Sequence, residues 1–142
     1  MTRLVSLQLA GVTYGIDAQH VIEILRPQPI TPVPRAVSTI AGLINLRGQI
    51  IVAIDLGRRL GLPSATCAMN VLVRTPDGPA SLLVEKIGDV LEVDPAAFTP
   101  APDTLPAALR GIVVGSYPFP DRLVLVLDPD RTARTEDDGV LS

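Results

Sequence analysis

The sequence of 142 residues contains one cysteine, one histidine and no tryptophan, and aromatic residues make up only 3% of it. Because a disulfide needs two cysteines, no internal disulfide can form, and this favours a reducing, cytoplasmic location. Hydrolytic triads and most zinc sites need several histidines or cysteines, so we expect no catalytic residue, no metal site and no cofactor. We interpret His20 as a surface or boundary residue and Cys67 as unreactive, since no cation adjoins it in sequence. The sequence therefore predicts a protein that is not an enzyme.

Long apolar runs and clusters of positive charge are also missing. No apolar run approaches the roughly 18 residues of a membrane span, and the N-terminus lacks the zones of a signal peptide, so we expect no membrane insertion. The formal net charge is −3, and eleven of the twelve basic residues are arginines scattered along the chain. Binding to nucleic acid requires a clustered basic face, whereas the closest cluster here is Arg58-Arg59. We therefore predict no nucleic-acid partner.

Apolar residues are abundant, at 47% of the sequence, and the core must be built from Val, Leu, Ile and Ala. β-Branched residues favour strands, and 11 glycines with 14 prolines imply many turns. Alternating patterns predict about ten short strands at nearly regular spacing, which is typical of small closed or half-closed all-β barrels. Short helical segments are predicted at 18–22, 38–41 and 56–63, and an irregular loop at 99–106. We expect one domain over residues 1–134 and a disordered tail over 135–142.

The most informative stretch is 40–56, in which two apolar segments flank the polar turn Asn45-Leu46-Arg47-Gly48. Gly48 can adopt the positive φ that a tight hairpin requires. Arg47 is then held at an exposed corner, where its planar guanidinium can pair with a carboxylate or a carbonyl. Taken alone, the pattern also fits a solvated arginine in an ordinary turn.

Four segments read together resemble the CheW family, the bacterial chemotaxis coupling proteins related to the regulatory domain of the histidine kinase CheA. They are 14–17, 21–24, 30–34 and the Asn45–Gly48 turn, and the likeness returns at 84–91, 110–115 and 123–128. It covers roughly residues 4 to 130. The resemblance implies a mainly all-β fold of two small five-stranded SH3-like barrels, packed on a shared apolar core with short helices.

The resemblance also implies a function, that of a cytoplasmic adaptor. Such a protein joins the cytoplasmic tips of methyl-accepting chemoreceptors to a CheA-type histidine kinase in arrays at the inner membrane. In the family, the helical receptor tip lies in an apolar groove between the barrels. Carried over by position, the residues tied to receptor coupling are Val21, Glu23, Gly42 and Arg47, with Gly48 shaping the turn. Glu23 and Arg47 are also placed to form an ion pair that fixes the arginine.

Some features leave alternatives open. Val21 can serve core packing alone, and Gly42 can serve a close approach of backbone whatever the function. Asp128-Pro129 is a good helix start, but 130–135 offers almost no apolar face, so we expect the family's C-terminal helix to be short, loosely held or absent. That departure keeps a second function open, a CheW-like scaffold for surface motility or gene regulation. A small-barrel nucleic-acid binder is a third alternative, disfavoured by the acidic charge.

Overall fold

The computed structural model describes residues 1–63 and 68–134, and the described chain is mainly β structure. The eleven strands are β1 Thr2–Leu9, β2 Val12–Asp17, β3 Val21–Leu25, β4 Ile40–Leu46, β5 Gln49–Asp55, β6 Met69–Thr75, β7 Gly78–Val84, β8 Lys86–Val93, β9 Thr99–Pro100, β10 Val113–Phe119 and β11 Arg122–Leu127. Short 3₁₀ helices lie at Ala18–His20 and Pro95–Ala97, and the α-helices are α1 Leu56–Arg59 and α2 Pro129–Thr132. Among the described helices, none has the length and hydropathy of a bilayer-crossing segment.

The strands form two sheets, in the orders β8-β1-β2-β11-β10-β9 and β3-β6-β7-β5-β4. The all-β prediction is confirmed, but one sheet has six strands instead of five. The additional strand is β9, in the region predicted as a loop, where Thr99 and Pro100 pair with Ser116 and Gly115 of β10. A proline fits there because β9 is the last strand of its sheet and needs no donor on the free side. The Phe98 ring packs edge-on against Tyr117 of β10, with 5.5 Å between ring centroids, and holds this segment in place.

The two sheets are nested in sequence. The six-stranded sheet takes β1 and β2 from the start of the chain and β8 to β11 from its end, whereas residues 21–84 form the five-stranded sheet between them. Each sheet contains one parallel pair, β2 with β11 and β5 with β7. Because β2 pairs with β11, the six-stranded sheet needs both ends of the chain.

Three apolar clusters hold the sheets together, and the largest is shared by both, which confirms the predicted common core. Its buried members are Val5, Leu7, Leu9, Tyr14, Ile16, Ile54, Leu56, Leu60, Val71, Val73, Ala80, Leu82, Val84, Ile112, Val113 and Leu127. Each sheet also encloses a smaller cluster of its own: Ile44, Ile51, Ala53, Leu72 and Leu83 in one, and Leu4, Val93, Tyr117 and Val124 in the other. Burial in the shared cluster raises the pKa of the Tyr14 hydroxyl above its ordinary value.

The predicted helical segments at 18–22 and 56–63 are shorter in the structure, where the second ends at Arg59, and the one at 38–41 is absent. The first ends at His20 instead of 22, although Asp17 caps it as expected by accepting a hydrogen bond from the Gln19 amide at 3.0 Å. Val21 already belongs to β3 and pairs with Val73. The predicted helical turn at 38–41 is also wrong, since Ile40 begins β4. Val21 pairs with a strand distant in sequence, and Ile40 pairs with Ile54 on the other strand of its own hairpin. In both places strand pairing of β-branched residues overrides the local preference.

The C-terminal helix α2 is short, as predicted, but it is anchored. The Asp128 carboxylate accepts a hydrogen bond from the Asp130 amide at 3.0 Å, and Pro129 occupies the first turn. Thr132 is fully buried and donates its hydroxyl hydrogen to the Asp128 carbonyl at 2.7 Å, while Ala133 packs against the shared cluster. A buried threonine therefore replaces the apolar face that the sequence lacks. The predicted tail at 135–142 lies outside the described residues.

A buried polar group ties the end of β3 to the middle of its sheet. Asn70, on β6, is fully buried. Its Nδ2 donates to the carbonyl of Arg26, directly after β3, at 3.2 Å, and its Oδ1 accepts from the Ser81 hydroxyl of β7 at 2.8 Å. Because Asn70 and Ser81 are both fully buried, the loss of one of these two side chains leaves the other unsatisfied.

Replacing Asn70 by alanine is expected to lower the free energy of unfolding by about 1–3 kcal/mol, since the Ser81 hydroxyl and the Arg26 carbonyl both lose their partner. The measurement is urea denaturation followed by circular dichroism. The Asn70→Ala/Ser81→Ala double variant is expected to cost less than the sum of the two single variants, because both members of one hydrogen bond are then removed together. If the loss in free energy of unfolding of the double variant equalled the sum of the two single losses, the coupling between Asn70 and Ser81 would be contradicted.

Candidate functional site

The hairpin formed by β4 and β5 turns through only two residues, Arg47 and Gly48, and Leu46 pairs with Gln49 across it. Both turn residues have positive φ, 53° and 87°, as a type I′ turn requires. The Asn45 side chain completes the turn by accepting a hydrogen bond from the Gly48 amide at 2.9 Å. The predicted positive φ at Gly48 and the exposed corner at Arg47 are confirmed. The positive φ of Arg47 itself was not predicted.

The Arg47 guanidinium is fixed by an ion pair with Glu23. Its Nη2 donates to the Glu23 Oε1 at 2.6 Å, and the two side chains are 65% and 36% exposed. The predicted ion pair is therefore confirmed. An exposed pair of this kind contributes about 0–1 kcal/mol to stability, so its main effect is to orient the arginine. Glu23 lies on β3 and the turn follows β4, which are the two outer strands of the five-stranded sheet.

The segment that follows β3 is also joined to β4 through the backbone, by an isolated antiparallel bridge. Beyond β3, the Thr31 amide donates to the Leu43 carbonyl at 2.9 Å, and the Leu43 amide donates to the Thr31 carbonyl at 2.8 Å. Gly42 makes this approach possible, because its φ is 152° and a Cβ there would overlap the Thr31 carbonyl oxygen. The predicted close approach at Gly42 is thus confirmed. No pattern in the sequence identifies Thr31 as the residue that approaches Gly42.

Val21 is partly buried and packs against the shared apolar cluster. This contact supports the alternative of plain packing, and a coupling role for Val21 stays a prediction. By contrast, its neighbours on β3, Ile22 and Ile24, are 43% and 41% exposed, and Ile50 on the hairpin is 61% exposed. The exposure of these isoleucines was not predicted. For Ile50 the signal lies in the hairpin register, since Ile50 pairs with Asn45 and so faces away from the buried pair Ile44 and Ile51.

The residues singled out for possible chemistry do not assemble into a cluster. In the described ranges, no three His, Cys, Asp or Glu side chains are placed to hold a metal ion together. His20 is half-buried at the end of a 3₁₀ helix, and its Nδ1 has no hydrogen-bond partner in the described chain. Cys67 lies outside the described residues. What the structure brings together is a guanidinium at an exposed hairpin corner and the carboxylate that orients it, an arrangement suited to contact with another protein.

The chain is similar to proteins of bacterial chemotaxis over nearly its full length. A family model described as the CheW-like domain matches residues 3–137. The chemotaxis protein CheW of Rhizobium meliloti is 25% identical over 137 residues, covering 94% of this chain and 88% of that protein. The CheW of Thermotoga maritima is 26% identical over 132 residues, covering 90% and 85%. The crystal structure of the scaffolding protein TtCheW from Thermoanaerobacter tengcongensis superimposes with a TM-score of 0.84, at 27% identity, covering 92% of this chain and 91% of that one.

Proposed function

The chain belongs to the CheW-like domain family, and we propose that it couples chemoreceptors to a CheA-type histidine kinase in bacterial chemotaxis. It acts by binding, without chemistry of its own, in the cytoplasm at receptor arrays. Two findings support this proposal: the similarity to a scaffolding protein extends over nine-tenths of both chains, and the curated relatives are chemotaxis proteins. The kinase partner is proposed from membership of the family.

The observation that carries the receptor side of the proposal is the ion pair between Arg47 and Glu23, at 2.6 Å. A guanidinium has five N–H donors, so the bond to Glu23 leaves others to meet a partner's carboxylates or carbonyls. The type I′ turn and the ion pair restrict the arginine before the partner arrives, and this reduces the entropy lost on binding. In this proposal Val21, Gly42 and Gly48 shape the surface, and Arg47 makes the polar contact.

The exposed isoleucines Ile22, Ile24 and Ile50 supply the apolar part of the proposed interface. Ile22 and Ile24 adjoin Glu23 in sequence on β3, where successive side chains point to opposite faces, and Ile50 lies on the hairpin that carries Arg47. Apolar and charged side chains together are the usual composition of a reversible protein interface. The helical tip of a receptor, with apolar side chains along one face, fits such a surface.

The test is a capture experiment with the full chain, the CheA-type kinases of the source organism and soluble tip fragments of its receptors. We expect the chain to retain a kinase and a receptor fragment together, and receptor-dependent kinase activity to require the chain. Circular dichroism confirms that the protein used is folded. A folded chain that captures neither partner would contradict the proposal. Capture restricted to the kinase and receptors of a motility or gene-regulation pathway would favour the alternative scaffold function.

A further inference from the structure

Four arginines that are distant in sequence line one surface cavity of about 430 Å³, which we call the arginine pocket. They are Arg59 on α1, Arg110 before β10, Arg131 on α2 and Arg134 just after it. No carboxylate residue lines this cavity in the described chain. The eleven arginines are scattered along the sequence, and the fold brings four of them to one cavity.

Two of the four guanidiniums are held in position by backbone carbonyls. Arg59 donates to the Arg131 carbonyl at 2.8 Å and to the Thr132 carbonyl at 3.3 Å, and Arg131 donates to the Gly111 carbonyl at 3.2 Å. Carbonyl groups orient these side chains without neutralising them. The only carboxylate within ion-pair distance of any of the four in the described chain is Asp128, 3.6 Å from the Arg131 Nε.

The other two side chains, Arg110 and Arg134, are exposed and form no hydrogen bond or ion pair with any described residue. Four arginines therefore line one cavity whose described lining holds no carboxylate, although Asp103 shares a neighbouring cavity with Arg110 and Arg131, and Asp130 shares another with Arg134. The formal net charge of the whole protein is −3. Like charges held together repel one another, and a bound anion relieves this repulsion. None of the five residues proposed for receptor coupling lines the pocket.

We propose that the arginine pocket binds an acidic segment of a partner protein through its carboxylates, at a site separate from the residues proposed for receptor coupling. The planar guanidinium forks match carboxylates in two-bond geometry, and four of them can engage successive acidic side chains. The pocket is less suited to a phosphate, because the first amides of α2 are already bonded to the Asp128 carboxylate. A nucleic acid is disfavoured by the negative charge of the whole chain.

The test uses the full chain and fluorescein-labelled hexaglutamate, with fluorescence anisotropy at low ionic strength, where charge contacts are weakly screened. We expect saturable binding that weakens about tenfold or more in the Arg110→Gln/Arg134→Gln variant, because two charge-assisted contacts are lost. The matched control is Arg26→Gln/Arg35→Gln, which removes the same charge from exposed arginines that do not line the pocket. Thermal melting verifies that both variants fold.

Three results would overturn the proposal. Equal weakening in the two double variants would mean that net charge alone attracts the peptide. Tighter binding of inorganic phosphate or of a labelled six-nucleotide DNA than of hexaglutamate would refute the assignment to carboxylates. The third result is that neither the wild-type chain nor the full-length triple variant Glu136→Gln/Asp137→Asn/Asp138→Asn binds hexaglutamate. The triple variant is included because these acidic residues follow Arg134 in sequence and their removal excludes competition with the peptide.

Discussion

Alanine in place of Gly42 is expected to lower the free energy of unfolding by about 2–4 kcal/mol, a loss in the range of backbone strain combined with broken hydrogen bonds. The added Cβ would overlap the Thr31 carbonyl oxygen and lie 2.7 Å from the Ile30 Cγ2. The φ of 152° at this position also disfavours any side chain. The backbone must therefore shift, and the two hydrogen bonds between Thr31 and Leu43 weaken, so the segment after β3 is released from β4.

Chemical denaturation followed by circular dichroism measures this loss, and Gly48→Ala is the matched control. Gly48 also has a positive φ, of 87°, but a Cβ there meets nothing within 4 Å. The loss in free energy of unfolding of Gly48→Ala therefore measures the backbone strain alone, which is about 1 kcal/mol. Equal stabilities for the two variants would show that the contact with Thr31 has no energetic weight. A Gly42→Ala chain that captures receptor normally at a temperature where it is folded would remove Gly42 from the proposed coupling residues.

Reversing the charge at Arg47 is expected to reduce receptor capture at least about tenfold, with a change in stability of no more than about 1 kcal/mol. In Arg47→Glu, two carboxylates face each other where the ion pair with Glu23 now lies, and the proposed polar contact with the receptor changes sign. The measurement is capture of a soluble receptor tip, with kinase capture recorded in parallel. We expect kinase capture to be retained, since Arg47 is assigned to the receptor side only.

The matched control for this variant is Arg3→Glu, which removes another exposed ion pair, with Glu92 at 3.7 Å. The double variant Glu23→Arg/Arg47→Glu restores an ion pair of reversed polarity. If Arg47 touches the receptor, as proposed, the double variant stays defective in receptor capture. Recovery of capture in the double variant would show that the pair has only an orienting role, and normal capture by Arg47→Glu would refute the receptor site.

The fold was predictable from sequence as far as local patterns determine it. Alternation of apolar residues indicated most strands, and the turn chemistry of Asn45 and Gly48 indicated the hairpin that carries Arg47. Errors arose where a distant strand decided the outcome. The helix predicted at 18–22 ends early because Val21 pairs with Val73, and Thr99 forms a strand because β10 lies beside it.

The candidate site was predictable in part for the same reason. The resemblance to a family placed Glu23 opposite Arg47, which composition and periodicity do not do. The contact of Thr31 with Leu43 has no sequence signature, because it consists of backbone hydrogen bonds, which do not depend on the identity of the side chains. The arginine pocket could not be predicted from the sequence either, because Arg59 and Arg134 are 75 positions apart (134 − 59) and come to the same cavity only through the tertiary fold.

The nesting of one sheet inside the other has a consequence for biosynthesis. A ribosome that has translated residues 1–84 has made every strand of the five-stranded sheet but only two of the six in the other. Until β11 is translated, β2 lacks its parallel neighbour, and the apolar residues of β1 and β2 face a half-built core. Pairing across more than a hundred residues is an inherently slow step, because a long loop must close before any contact compensates. The nascent chain therefore holds the β1–β2 hairpin without its parallel neighbour until β11 has been translated.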